Sequence, residues 1–336
     1  DIQTPQSDNN PDVYVFLLDE FSGKDTLKRD FDYDLQPFEN KLIEREFIVP
    51  TSYSNYPNTE FSLPSIMNMM YMDNLVAGIE NNSKDFRITN EIVKINNVMK
   101  IFKANNYEII TFFGGMHNSY STHLVDKKLC AFGGFNPDLK KNFVLTYMPI
   151  SYFNEILLEN QSREKLKCVF KTFEDNAFDD NSKSKFVLAH LRLPHEPYVY
   201  NENGDIMQNK YQNDRPAYLS QLKFTEKKIL EIIDTIQSHS PDAVIILFSD
   251  HGYREEINWE NPRMVDYRSA FNTITSFYFP IGYEKIPSEV SAVNIFRIFF
   301  NAYFNADFEI LENRHMWYSN DQTYNHTKIS EIFKKT

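Results

Sequence analysis

"DAVIILFSDHG" (242–252) decides the fold. Five apolar residues, Val244 to Phe248, run without a break into an acid, a histidine and a glycine. A half-exposed strand would alternate polar and apolar residues. An unbroken run is the pattern of a strand buried on both faces, as in a parallel sheet. "VYVFLLD" (13–19) repeats the pattern near the start of the chain and ends on Asp19.

Working outward, "YEIITFFGG", "SKFVLAHLRLP" (184–194) and "ITSFYFP" read as further strands. "FENKLIEREFIVPTSYS" reads as a helix running into a short strand. "SLPSIMNMMYM", "NEIVKINNVMKIFKANN" (90–106), "LSQLKFTEKKILEIIDTIQSH" (219–239) and "AVNIFRIFFNAYF" (292–304) carry apolar residues at helical spacing. Strands alternating with helices predict an α/β domain with a mostly parallel central sheet flanked by helices. Residues 1–10 read as a polar linker, 11–312 as one domain, and 313–336 as a peripheral C-terminal segment. The acidic stretch 170–184 reads as a surface loop.

With 29 Phe and 20 Tyr among 336 residues, the chain has ample material for a core. Thirty-five basic against 47 acidic residues give a net charge of −12, and no Lys/Arg block appears. That balance excludes nucleic acid as a partner. No apolar run reaches the ~18 residues of a membrane-spanning helix, and the opening "DIQTPQSDNNPDVYVF" is no signal peptide. Cys130 and Cys168 are either paired or two free thiols.

Ligands of open α/β sheets collect at the C-terminal ends of strands. Two strands here end in acid, at Asp19 and at Asp250–His251. Carboxylates and an imidazole in such places can hold a divalent metal. A third stretch, "SNYPNTEFSLPSIMN" (54–68), sets Thr59, Ser62 and Ser65 at the start of an apolar helix. A helix start offers free N–H groups and a partial positive charge, which favour an alkoxide and phosphoryl oxygens. Loop and cap residues look the same in isolation; the conjunction of the three stretches points to chemistry.

"PDVYVFLLDEFSGKDTL", "SNYPNTEFSLPSIMN", "KFVLAHLRLPHEPYVY", "QLKFTEKKILEIIDTI" and "VIILFSDHGY" occur in the order seen in sulfatase-like proteins of the alkaline phosphatase superfamily. Over roughly residues 11–305 the chain resembles the bacterial membrane-anchored branch, which includes lipoteichoic acid synthases and other phosphoglycerol or phosphoethanolamine transferases. The resemblance implies a sulfatase-like catalytic domain. It also implies one divalent cation, Mn²⁺ ahead of Zn²⁺ or Mg²⁺, held by Asp19, Thr59, Asp250 and His251, with Thr59 as nucleophile. Glu20 competes with Asp19 for the ligand role, because the lipoteichoic branch uses a glutamate there. A second metal would need an acid near His190 and His195, and none falls at the required spacing.

His195 is then a catalytic or leaving-group contact, a general acid in this reading. His117, with Ser119 and Tyr120, and His190 and Arg268 are candidates for substrate binding. His190, inside an apolar run, also reads as a core histidine, and Arg268 as a surface ion pair. "Ser62-Leu63-Pro64-Ser65" fits the first four positions of the sulfatase formylglycine motif, but Ile66 stands where that motif has arginine. Thr59 implies transfer of a phosphoglycerol-type or phosphoethanolamine group from a phospholipid or other phosphodiester donor to a glycan acceptor; Ser62 implies a sulfatase. A hydrolase and a catalytically silent binding domain are further alternatives. The resemblance places the domain outside the cytoplasm, anchored by membrane segments absent from this chain.

Overall fold

The computed structural model describes residues 5, 10–112, 122–130, 151–178, 183–207, 214–254, 257–259, 264–283, 285–319 and 321–330. Its centre is a six-stranded sheet. In chain order the strands of the molecule are β1 (Val13–Leu18), β2 (Thr51–Tyr53), β3 (Glu108–Phe112), β4 (Lys127–Leu129), β5 (Lys185–Leu191), β6 (Val244–Phe248), β7 (Asn272–Thr273), β8 (Thr275–Tyr278), β9 (Glu289–Ser291), β10 (Met316–Ser319) and β11 (Gln322–Lys328). The large sheet runs β4-β3-β5-β1-β6-β8. Every neighbouring pair is parallel except β6–β8 at one edge. The mostly parallel α/β architecture expected from the apolar runs is therefore the one found.

β1 lies at the centre, with Leu17 opposite His190 of β5 and Phe248 of β6. All of its residues are buried, as are all those of β5 and β6. The pleat divides them between two cores. Tyr14, Phe16 and Leu18 join one core with the helices Arg215–His239 and Ser151–Glu174. Val13, Val15 and Leu17 join the other with the helices Thr59–Asn68, Asn97–Ala104 and Ile295–Tyr303. Burying both faces of each strand explains why the sequence shows no alternation.

Two expectations change. The 90–106 stretch forms two helices, Arg87–Lys94 and Asn97–Ala104, because the Asn96 side chain accepts the Met99 N–H at 2.8 Å and caps the second. The 170–184 stretch is helical as far as Glu174, with Phe170 and Phe173 in the core. The C-terminal segment contains an antiparallel hairpin, β10–β11, whose Met316, Tyr318 and Tyr324 pack with Tyr56 and Phe61. Cys130 and Cys168 are joined in a disulfide.

Candidate metal centre and active site

β1 and β6 are adjacent and parallel, so their C-terminal ends deliver Asp19 and Asp250–His251 to one place. The Ser249 hydroxyl ties the two exits together, accepting the Phe21 N–H at 2.9 Å and donating to the His251 carbonyl at 2.8 Å. Gly252 follows because nothing larger fits. A Cβ there would lie 2.1 Å from the Ser269 carbonyl oxygen and 2.6 Å from that of Asn272, both backbone atoms. Close approach to those carbonyls is what demands glycine here.

Asp19, Asp250 and His251 each place a ligand atom within 4.8 Å of the others. His251 Nε2 is 3.5 Å from Asp19 Oδ1 and 3.7 Å from Asp250 Oδ2. Its Nδ1–H donates to the Gly252 carbonyl at 2.9 Å, so in the neutral ring Nε2 carries a lone pair. A lone pair therefore faces two carboxylates. Asp19 Oδ1 and both Asp250 oxygens are buried without a hydrogen-bond donor. Buried anionic oxygens are ordinarily hydrogen-bonded or bound to metal. Oxygen and nitrogen donors converging with no proton between them fit one divalent cation.

The electrostatics agree. Burial, then the charge of Asp19, push Asp250 up to about 7, with the nearby Thr59 hydroxyl partly offsetting the rise. Burial also works to raise Asp19, but the imidazoles of His195, His190 and His251 reverse it and hold the carboxyl below the ordinary range. His251 is pushed down to about 4 by burial and by the charge of Arg254. Burial likewise lowers His195 to about 3. Both rings are thus neutral near pH 7 and lend Asp19 their positive charge only in acid.

Thr59 opens the helix Thr59–Asn68, and its Oγ1 lies 3.3 Å from His251 Nε2. The first bond of that helix's ladder runs from Ser62 N–H to the Asn58 carbonyl at 3.0 Å. The N–H groups of the first turn stay outside the ladder. Ser62 is differently employed: its hydroxyl is fully buried and donates to the Asp250 backbone carbonyl at 2.6 Å. His190 Nε2 donates to Asp19 Oδ2 at 3.3 Å, so this histidine is buried behind the acid and orients it. His195 lies on the loop after β5; its N–H donates to the Asp19 carbonyl at 3.1 Å and its ring is centred 6.3 Å from that of His251. Nδ1–H donates to the Glu196 carbonyl at 2.8 Å, which turns Nε2 into an acceptor.

Glu20 is fully buried, and its Oε1 accepts the Arg254 backbone N–H at 3.1 Å. Arg268 lies on the helix Met264–Phe271, where its charge acts on Tyr53. The arginine whose charge reaches Asp250, His251 and His195 is Arg254. His117, Ser119 and Tyr120 lie outside the described residues.

Two contributors escape a reading by motif. Arg254, four residues past Asp250, resembles any polar residue of a loop. Gln221 sits mid-helix, yet its Nε2 donates to the carbonyls of Pro194 and His195 at 3.1 and 3.0 Å, and its Oε1 accepts the N–H groups of Val199 and Tyr200. An uncharged polar residue on the apolar face of an amphipathic helix was the available signal.

Known proteins share this architecture. The C-terminal periplasmic domain of EptC from Escherichia coli, in complex with zinc, is 12 % identical with a TM-score of 0.59, covering 98 % of this chain and 96 % of that one. A Bacteroides thetaiotaomicron structure from a locus for metabolism of multiple glycosaminoglycans is 14 % identical with a TM-score of 0.55, covering 95 % and 84 %. The integral membrane lipooligosaccharide phosphoethanolamine transferase A of Neisseria meningitidis is 12 % identical with a TM-score of 0.54, covering 88 % of this chain and 57 % of that one. At these identities the likeness is one of fold. No curated protein sequence matches the chain. The Sulfatase family does match, over residues 11–287, a span that includes both strand exits and the Thr59 helix start. The chain belongs to the sulfatase family, and so to the metal-dependent enzymes of the alkaline phosphatase superfamily.

Proposed function

We propose that this domain moves a phosphoglycerol-type or phosphoethanolamine group from a lipid donor to a surface glycan, through an intermediate on Thr59. One observation carries the choice. Of the two candidate hydroxyls, that of Thr59 faces the acid–histidine cluster, while that of Ser62 is spent on a backbone carbonyl. Threonine cannot become formylglycine, so Thr59 favours phosphoryl over sulfuryl chemistry.

Asp19, Asp250, His251 and Thr59 would hold the cation, with Mn²⁺ the best match to their mixed oxygen and nitrogen donors. When bound, the ion supplies Lewis acidity and eases loss of the threonine proton. The chain's own groups do the rest. Thr59 Oγ1 forms a bond to phosphorus as the bond from phosphorus to the lipid oxygen breaks. His195, neutral with Nε2 free to accept, takes the threonine proton and gives it to the departing alcohol. It therefore acts first as a base, whereas the sequence suggested an acid. In the second half an acceptor hydroxyl attacks phosphorus, the Thr59–phosphorus bond breaks, and the acceptor's proton returns to Thr59.

A domain of this kind works outside the cytoplasm. The Cys130–Cys168 disulfide supports that setting, since such bonds persist in oxidising compartments. So does the likeness to a periplasmic domain and to an integral membrane transferase. Among the described residues no helix is long and apolar enough to cross a membrane.

Incubation with Mn²⁺ and a phosphoglycerol or phosphoethanolamine lipid, followed by peptide mass analysis, tests the reading. The expected result is a phosphate-linked adduct on Thr59, absent from Thr59→Ala. Loss of two hydrogens at Ser62 together with sulfate-ester hydrolysis would establish a sulfatase instead.

A further inference from the structure

We propose that Trp259, stacked on Trp317 and bordered by Tyr267 and Tyr318, is the platform on which an uncharged pyranose ring of the acceptor glycan lies. The inference rests on the transfer reading above and gives its second substrate a place.

Both tryptophans of the chain meet here, their rings centred 4.9 Å apart and within 17° of parallel. Tyr267 sets its ring edge-on to Trp317 at 4.7 Å, and Tyr318 lies 5.8 Å from Trp259. Trp317 and Tyr318 are buried in the hairpin strand β10, whereas Trp259 is only partly buried and packs against two separate cores. A ring wedged in this way keeps its orientation, so little rotamer freedom is left to lose on binding. Two links tie the stack to the reaction centre. Trp259 follows His251 along the exit of β6. Tyr318 accepts a hydrogen bond at 3.0 Å from the side chain of Asn58, the residue before Thr59.

The chemistry of the stack selects the occupant. A pyranose carries C–H bonds on its faces and oxygens around its rim. Its faces suit an aromatic surface, whose quadrupole is negative above the ring. Its rim suits the indole edge. Trp317 is 6 % exposed, yet no described residue accepts its N–H, and that atom is not sealed from solvent. A buried tryptophan N–H usually has a partner. A sugar oxygen would supply it; an acyl chain would cover the indoles and bring no acceptor. The four rings are uncharged at neutral pH, and a net charge of −12 works against a polyanionic glycan. An uncharged sugar is what remains.

Because both tryptophans lie in the stack, fluorescence excited at the red edge of their absorption reports on this site alone. The probes are maltotetraose and chitotetraose, uncharged chains of glucose and of N-acetylglucosamine, with dihexanoyl phosphatidylglycerol as a soluble lipid. At least one of the sugars should change the emission saturably, and calorimetry then gives its affinity. Trp259→Ala should weaken that binding by about three- to tenfold, the worth of one stacked ring. Trp259→Phe keeps a smaller ring, covers the case that the alanine variant does not fold, and should fall between. A response to the lipid and to neither sugar would assign the stack to the donor's acyl chains and overturn the inference. Silence toward all three probes, or unchanged sugar affinity in every folded Trp259 variant, would overturn it too. A wild-type protein that binds sugar through Trp259 yet never labels Thr59 would sink the transfer reading and leave the platform standing. Labelling of Thr59 without any sugar binding would do the reverse.

Discussion

Thr59 and Ser62 stand three residues apart on one helix, and their hydroxyls have unlike surroundings. Thr59→Ala should remove turnover, with little change in melting temperature, because the hydroxyl's partner is the reaction centre. Ser62→Ala should leave turnover and lower stability by about 1 kcal/mol, the worth of one buried hydrogen bond. Denaturant melts beside kinetic assays separate the two. Glu226 offers a pH test far from the site. Burial pushes its carboxyl up to about 7, although it accepts the Tyr33 hydroxyl at 2.8 and 3.0 Å and feels Lys41 and Lys223. Its folded pKa lies above the ordinary value of 4.5, so the folded state holds the proton more tightly. Its contribution is greatest below about pH 4.5 and falls as pH rises to about 7. Stability of wild type minus that of Glu226→Gln should therefore decline across that window; a flat difference would contradict it.

At the scale of elements, the loop carrying His195 depends on one side chain from another helix. Gln221→Ala would leave the Val199 and Tyr200 N–H groups and two carbonyls without their partner. The expected loss is about 1–3 kcal/mol, with a fall in turnover beyond what stability explains. Gln221→Glu, which keeps the acceptor but loses the donor, should fall between. The strands and the acid-bearing exits were legible in the sequence because burial on both faces writes itself as an unbroken apolar run. Asp19, Asp250, His251 and Thr59 were legible because they terminate or begin such elements. Arg254 and Gln221 were not, since their roles depend on partners far away in sequence. The break at Asn96 was missed because a cap inside an apolar periodic stretch leaves the periodicity intact.

For the whole molecule, the disulfide closes a loop between residues 38 apart in sequence. Replacing both cysteines by serine should cost about 3–4 kcal/mol by the chain-entropy argument, with metal affinity kept because neither cysteine touches the centre. Chemical denaturation of oxidised and substituted protein measures it.

The hairpin β10–β11 has a further consequence, one of timing. Asn58, which precedes Thr59, donates to the Tyr318 hydroxyl at 3.0 Å, and Phe61 of the same helix is ringed by Tyr318, Tyr324 and His326. During synthesis every residue of the acid–histidine cluster leaves the ribosome at least 67 residues before Tyr318, since 318 minus 251 is 67 and the cluster ends at His251. The growing chain thus holds all its metal-binding groups while the helix that presents Thr59 lacks its outer wall. Completion of the β10–β11 hairpin would be the event that makes the domain competent. A chain ending at residue 312 should accordingly be soluble only in part, bind 8-anilinonaphthalene sulfonate through the uncovered Tyr56–Phe61 surface, and recover when the 313–336 peptide is added in trans.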